Sequence, residues 1–318
     1  MTSKTLPQSE HFTYHELAEG VWAAIVIPTG LAASNSGIVD LGDQTLIFDT
    51  TFSPASATEL RTVAENLTGR SVSHVLNSHW HQDHVFGNAI FSPETHIHAT
   101  ARTSEIIAEK TEADIVEFKQ HWPNQLKEWA ESAKVAKDEA ERLDYEDGVR
   151  FAQSIIDTFP QLELRLPDHT FTDRMEFKGT KRTVEFVTFG GGHTDSDAFL
   201  YLPTERIIFT GDLLATKFQP GMSSGHPHEW LKILAKIKTL DPIQLVPGHG
   251  ELATLADVEL IEQYINELLQ MTKQNQLTGG TAESAAALQP PAFTDGWNNS
   301  EAFELNMKFL HEMFQLKA

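Results

Sequence analysis

The chain is 318 residues long and 40% hydrophobic, and its 24 basic and 45 acidic side chains give a formal net charge of -21. That length can bury a sizeable core, and that much negative charge disfavours nucleic acid and anionic lipid as partners. There is no cysteine, which excludes disulfides, thiolate metal sites and cysteine nucleophiles and leaves only nitrogen and oxygen to hold a metal.

The opening "MTSKTLPQSEHFTYHE" lacks the apolar run of a signal peptide, and no stretch approaches the roughly 18 apolar residues of a membrane helix. We therefore read a cytoplasmic protein with no membrane partner. "GVWAAIVI", "SGIVDLG" and "QTLIFDT" are short, rich in β-branched residues and punctuated by Gly, Pro, Asn and Asp, the pattern of successive strands. "SPASATELRTVAENLTGR" predicts a helix, with Ser53 as N-cap, Pro54 in the first turn and Gly69 near the end. "VSHVLNSH" then predicts a strand whose end runs into "LNSHWHQDHVFGN", where His79, His81, Asp83 and His84 fall within six positions. Imidazoles this close repel when protonated and lose solvation when buried, so a metal site explains the cluster better than a solvated loop. His79 and His81 stand two apart and point the same way on an extended segment, so both can bind one ion. Asp83 and His84 come later and can turn toward a second position. Four ligands from one loop cannot all reach a single tetrahedral ion without strain, so a pair of ions fits better.

Residues from about 104 to 160 are helical in composition. Ile115, Phe118, Trp122, Leu126, Trp129 and Ala133 recur at three- and four-residue steps, and Pro123 is expected to break this stripe into two helices or to start the second. Such an insertion could pack on the core, wall or cover the active site, or form a dimer surface. Beyond it, "RTVEFVTFGGGH", "DAFLYLP" and "RIIFTGD" predict strands, "HEWLKILAKIKTL" a helix, "IQLVPGHG" a strand ending in histidine, and "LADVELIEQYINELLQMTKQ" a further helix. The two strand-rich halves suggest two sheets packed face to face with helices outside. The carboxy-terminal stripe Phe303, Met307, Leu310 and Phe314 predicts a strap, at about 275–318, over the core or against a second copy. Three strands of the second half each end in glycine beside His193, Asp212 or His249, and glycines there let the backbone approach closely and turn sharply.

"HWHQDH", "GGHTDSD", "TGD" and "PGHG", in this order and spacing, resemble the metallo-β-lactamase-fold hydrolase superfamily over about residues 20–270. Further context in "HVFGNAIF" and "GGHTDSDAFLYLP" is most similar to its cyclase-type and quinoprotein-relay members. The resemblance implies an α/β fold, an αββα sandwich, here a single domain over 1–318 carrying the helical insertion. It also implies a dinuclear metal site: His79, His81 and His193 on the first ion, Asp83, His84 and His249 on the second, and Asp212 bridging both. The lactamase classes that replace a position of "HWHQDH" or use a cysteine ligand do not match.

Two divalent ions are expected as cofactors, zinc first, with iron and manganese also allowed by the donor set. Two such ions can share a hydroxide that acts as nucleophile, with Asp83 and Asp212 as the catalytic carboxylates. Asp49, at the end of "LIFDT", is a candidate to orient a metal-bound histidine, or else a turn cap, and Thr194 and Asp197 are expected to fix the loop after His193. The segment "KFQPGMSSGHPHEW" follows Asp212 and offers Lys217 for a substrate carboxylate, Phe218 as an apolar wall, and His226 or His228 to bind substrate or donate a proton. The expected activity is hydrolysis of a small ester, lactone, thioester or amide, with no nucleic acid partner. The alternatives are β-lactam hydrolysis or a di-iron oxidoreductase, which would need a flavin partner.

Overall fold

A computed structural model describes residues 6–315. Two compact units divide the chain, residues 1–170 and 171–318. In the first, β1 (Phe12–Ala18), β2 (Val21–Val26), β3 (Ser36–Asp40) and β4 (Thr45–Phe48) form an antiparallel meander. Helix α1 (Pro54–Thr68) crosses to β5 (His74–Leu76), which runs parallel to both β4 and β6 (His96–Thr100). The edge strand β7 (His169–Phe171) completes a seven-stranded sheet.

α1 begins and ends where its sequence directs. The Ser53 hydroxyl accepts from the Ser56 amide at 3.2 Å, and Gly69 takes φ 75°, the left-handed stop that glycine adopts without strain. Its apolar face packs Leu60, Val63, Ala64 and Leu67 against Ile38, Ile47, Val75 and Ile97 of the sheet.

Helix α2 (Gln82–Val85) follows the histidine cluster, and the insertion folds as a long α3 (Ala101–Lys134) and α4 (Glu139–Ile156). The expectation at Pro123 is corrected: the proline lies inside α3, and the chain turns instead at 135–138. An interior proline costs about 3 kcal/mol, but packing on both sides holds the helix together. Phe118 and Trp122 sit on Phe52, with ring centroids 4.9 and 6.3 Å away, and Trp122 also meets Phe151 of α4 at 5.5 Å. The turn is specified by Asp138, whose carboxylate caps α4 by accepting from the Glu141 amide at 2.9 Å. Trp129 lies so close to α4 that a Cβ on Gly148 would come within 2.8 Å of its ring.

The second unit is a five-stranded sheet in the order β12-β11-β10-β9-β8. Its strands are β8 (Arg174–Lys178), β9 (Thr183–Gly190), β10 (Asp197–Leu202), β11 (Ile207–Ala215) and β12 (Gln244–His249). Helix α5 (Pro227–Thr239) carries the chain from β11 to its parallel neighbour β12, and α6 (Leu255–Leu277), α7 (Ala282–Ala286) and α8 (Glu301–Gln315) follow. The carboxy-terminal stripe packs as a strap within this unit. Phe303, Met307 and Leu310 are buried in one core cluster with Ile261, Ile265 and Leu268 of α6. No helix among the described residues is long and apolar enough to cross a membrane.

Candidate metal centre

Each unit carries one half of the candidate ligand set. In the first, β4 and β5 end side by side, with the Asp49 amide donating to the Leu76 carbonyl at 2.8 Å. The Thr50 amide donates to the His84 carbonyl at 2.9 Å, and the Ser34 hydroxyl donates to the Asp83 carbonyl, so the histidine loop is pinned from both sides. Gly87 is required by close approach, because a Cβ there would lie 2.0 Å from the Thr50 carbonyl oxygen.

Asp49 is wholly buried at the centre of this half-site. Its carboxylate accepts from the Ser78 amide, the Ser78 hydroxyl and His84 Nδ1, each at 2.7 Å. Ser78 Oγ, having donated to Asp49, accepts from His79 Nδ1 at 2.9 Å. One carboxylate therefore fixes two imidazoles in the same tautomer, with Nδ1 protonated and Nε2 carrying the lone pair. Burial pushes the Asp49 carboxyl above its ordinary pKa, against the pull of His84 and the Ser78 donors. Asp49 also sits at φ 60°, a left-handed conformation that Asp and Asn tolerate better than most side chains.

The nitrogens so presented face further donors. His79 Nε2 is 3.0 Å from His81 Nδ1, and His84 Nε2 is 3.4 Å from an Asp83 oxygen. Two lone pairs at 3.0 Å repel unless a proton or cation lies between them. Donor atoms on a tetrahedral ion with bonds of about 2.0–2.1 Å stand roughly 3.3 Å apart, so these separations suit a shared cation.

The second half-site takes His193 from the loop after β9, Asp212 from within β11, which runs on to Ala215 rather than ending at the aspartate, and His249 from the last position of β12. One Asp212 oxygen, Oδ2, lies 3.3 Å from His193 Nε2 and 3.2 Å from His249 Nε2. Glycine makes this arrangement possible: a Cβ on Gly248 would fall 1.9 Å from the other Asp212 oxygen. His193 is held by the loop that follows it. Buried Asp197 accepts from the Gly192 amide at 2.7 Å and from the Thr194 hydroxyl at 2.7 Å, as expected of a residue that fixes that loop. Burial raises the Asp197 carboxyl, while nearby His193 pulls it down. Trp230 packs edge-on against the His193 ring at 5.3 Å and anchors its indole N–H on the Leu213 carbonyl.

The segment after Asp212 separates its four expected substrate residues. Phe218 stacks on the His249 ring, with centroids 4.5 Å apart and 8° between planes. Lys217 precedes it, exposed and at φ 49°. His226 is half-exposed, pairs with Asp195 at 3.0 Å, and donates its amide to the Gly192 carbonyl in the His193 loop. His228 lies apart from these, with Phe314 of α8 as its ring neighbour at 6.4 Å.

Sequence reasoning passed over Ser78 and Asn306. Ser78 stands beside the first histidine, a position that hints at its role. Asn306 is buried on α8, accepts from the Met222 amide at 2.7 Å and donates to the Pro220 carbonyl at 2.8 Å, so the strap holds the segment after Asp212 in place. Nothing in its local sequence distinguishes it.

The sequence profile described as the metallo-beta-lactamase superfamily matches residues 29–249. The chain belongs to this superfamily. A curated relative, the Metallo-beta-lactamase type 2 of Bacteroides fragilis, is 30% identical over 128 residues, which is 38% of this chain and 51% of the relative. The match thus spans about half the length of that relative. A metallo-beta-lactamase from Pontibacter korlensis superposes with a TM-score of 0.59 at 17% identity, over 80% of this chain and 99% of that one. One from Hirschia baltica gives a TM-score of 0.54 at 16% identity, over 80% and 97%. The fold is therefore the metallo-β-lactamase fold expected from the motifs. Members bind divalent metal ions, and the histidine and aspartate clusters described above provide donors for them.

Proposed function

We propose that the chain is a dinuclear metal-dependent hydrolase of a small ester, lactone, thioester or amide, with its two units working as a single catalytic domain. The observation that carries this reading is the Asp212 carboxylate, one oxygen of which stands within 3.3 Å of two imidazole nitrogens, one from the loop after β9 and one from β12. A carboxylate so placed can neutralise two cations at once. In this reading His79, His81 and His193 hold one ion, Asp83, His84 and His249 hold the other, and Asp212 serves both. Zinc suits the nitrogen and oxygen donors, and iron and manganese also satisfy them.

Bound divalent ions would supply a nucleophile at neutral pH and polarise the substrate oxygen. The chain's own residues set the conditions for that chemistry. Asp49 and Ser78 hold His79 and His84 with Nε2 available for coordination. Asp197 and Trp230 hold the His193 loop. Phe218 walls the His249 side with an apolar face, and exposed Lys217 beside it can meet a substrate carboxylate. The pair His226 and Asp195 is placed to bind a polar substrate group or pass a proton. In the first unit, Trp129, Tyr145 and Phe151 of the helical insertion line a cavity of about 590 Å³ with Pro28 and Leu31, and Glu10, His11, Asp147 and Arg150 add polar and charged groups to its wall.

β-Lactam hydrolysis is the second reading, favoured by the names of the relatives. The absence of any cysteine sets this chain apart from lactamases with a thiolate ligand. Metal-replete protein assayed on chromogenic esters, lactones, phosphodiesters and β-lactams separates the two. Turnover of esters or lactones above β-lactams supports the proposal, and the reverse order replaces it. A di-iron oxidoreductase would instead bind iron selectively and hydrolyse none of the panel. Retention of the protein in the cytosolic fraction of its cell tests the cytoplasmic assignment.

A further inference from the structure

Four histidines lie together in the first unit, away from the ligand loop. β5 and β6 run in parallel register, with His74 opposite His96 and Leu76 opposite His98. His74, His96 and His98 therefore project from one face of the sheet. The edge strand β7 adds His169, whose ring stacks on His98 with centroids 5.0 Å apart and 17° between planes.

The innermost pair is already engaged. His74 places one nitrogen 3.1 Å from His98 Nε2 and the other 3.0 Å from the Gln44 side-chain oxygen. The outer pair has the geometry of ligands. His96 Nδ1 stands 3.2 Å from His169 Nε2, close to the roughly 3.3 Å edge of a tetrahedral nitrogen site. The Asp168 carboxylate presents one oxygen 3.7 Å from His96 Nδ1 and the other 3.8 Å from His169 Nε2. All three donor atoms fall within 4.8 Å of one another. Gathering the three onto one ion draws the farthest pair together by up to about 1.5 Å, a turn open to side chains that are about half exposed.

Backbone bonds fix where these donors stand. The Asp168 amide donates to the Ile97 carbonyl at 2.9 Å, and the Ile97 amide donates back to the Asp168 carboxylate at 3.0 Å. Arg165 donates to the carbonyls of Phe91, Ser92 and Thr95, which holds the approach to β7 against the start of β6. The separation of the donors is thus set by the sheet rather than by chance encounter of surface side chains.

We propose that His96, Asp168 and His169 bind one divalent transition-metal ion of the zinc, nickel or copper class, separate from the catalytic residues. Two imidazoles and one carboxylate suit these ions better than calcium or magnesium, which take mostly oxygen. A water completes the tetrahedron. His74 and His98 act as positioning residues, because the stack of His98 on His169 fixes the plane of the ligand ring. The ion joins positions 73 residues apart, on the strands that precede and follow the helical insertion. It would therefore staple the ends of that insertion to the sheet, where tying off a long loop removes freedom from the unfolded chain.

Zinc binding by equilibrium dialysis of the full chain tests this at buffered free zinc. The comparison uses His96→Ala/His169→Ala protein, in both the natural and the Asp212→Ala background. The expected result is loss of one zinc equivalent on removing the two histidines in either background, with hydrolysis by the natural-background variant unchanged. Dependence on His96 and His169 in the Asp212→Ala background separates this site from the proposed catalytic centre, whatever the activity of the latter. Equal zinc content with and without the two histidines overturns the proposal. His169→Gln, a milder change at a half-exposed position, is expected to weaken binding of this ion by more than about tenfold; unchanged affinity also overturns it.

Discussion

Replacing Asp49 by Asn tests the organisation of the first half-site with almost no change of shape. Asn tolerates the left-handed backbone at this position, φ 60°, so strain is not the variable. The carboxylate accepts three hydrogen bonds, two of them at Oδ2 from Ser78 Oγ and His84 Nδ1. An amide offers one acceptor oxygen and must turn its NH2 toward at least one of these donors. If the NH2 takes the Oδ2 position, His84 can restore a bond only by moving its proton to Nε2, which removes the lone pair available to a metal. If the amide oxygen takes that position, the Ser78 amide loses its acceptor instead. Loss of such an orienting partner weakens metal affinity roughly 10- to 100-fold, or about 1.4–2.7 kcal/mol. One buried donor left unsatisfied costs a further ~1–3 kcal/mol of stability. Competition with a graded chelator, followed by metal analysis and thermal melting, measures both. The expected outcome is earlier metal loss, a lower melting temperature and lower activity. Metal retention and melting equal to the parent protein would show that Asp49 does not orient the ligands.

Gly248→Ala drives a methyl into Asp212, 1.9 Å from its oxygen, and is expected to abolish activity and reduce metal content; Gly221→Ala, where the added carbon meets nothing within 4 Å, is the control and should change neither. Burial, reinforced by neighbouring histidines, lowers the His74 pKa to about 4 and that of His98 to about 3 from 6.5. Unfolding lets both take up protons, so metal-free protein should keep their contribution to stability above about pH 6.5 and lose it as pH falls toward 4 and 3. Denaturant titrations should show that slope diminished in His74→Gln/His98→Gln, and an unchanged slope would contradict the assignment. Trp129→Ala removes the ring that packs on Gly148 and lines the 590 Å³ cavity. We expect a loss of about 1–3 kcal/mol by chemical denaturation and a KM change that depends on substrate size; a stability loss with KM unchanged on every substrate would make the insertion packing alone.

The parts of the fold that were legible in the sequence are those governed by local chemistry. Ser53, Pro54 and Gly69 mark the ends of α1 because capping acts over three or four residues. The candidate ligands stood out because imidazoles and carboxylates at strand ends, flanked by glycine, have few other uses. Pro123 misled because its local penalty is smaller than the packing of Phe118, Trp122 and Trp129, which becomes visible only when α4 is in place. Ser78 and Asn306 act through partners at positions 49, 220 and 222, and nothing near either residue announces those bonds. The His96 and His169 pair is hidden for the same reason, since a whole helical hairpin separates its members in sequence. Phe218 was expected as an apolar wall from its place after Asp212, and its ring stacks on that of His249.

The central claim, a dinuclear hydrolytic centre, is met most directly by titrating metal-free His96→Ala/His169→Ala protein with zinc while following hydrolysis of the best substrate in the chromogenic panel. The account requires two equivalents at saturation, activity that rises with occupancy of the pair, and loss of both binding and activity in Asp212→Ala. Saturation at one equivalent, or turnover that survives Asp212→Ala with its metal intact, would contradict it.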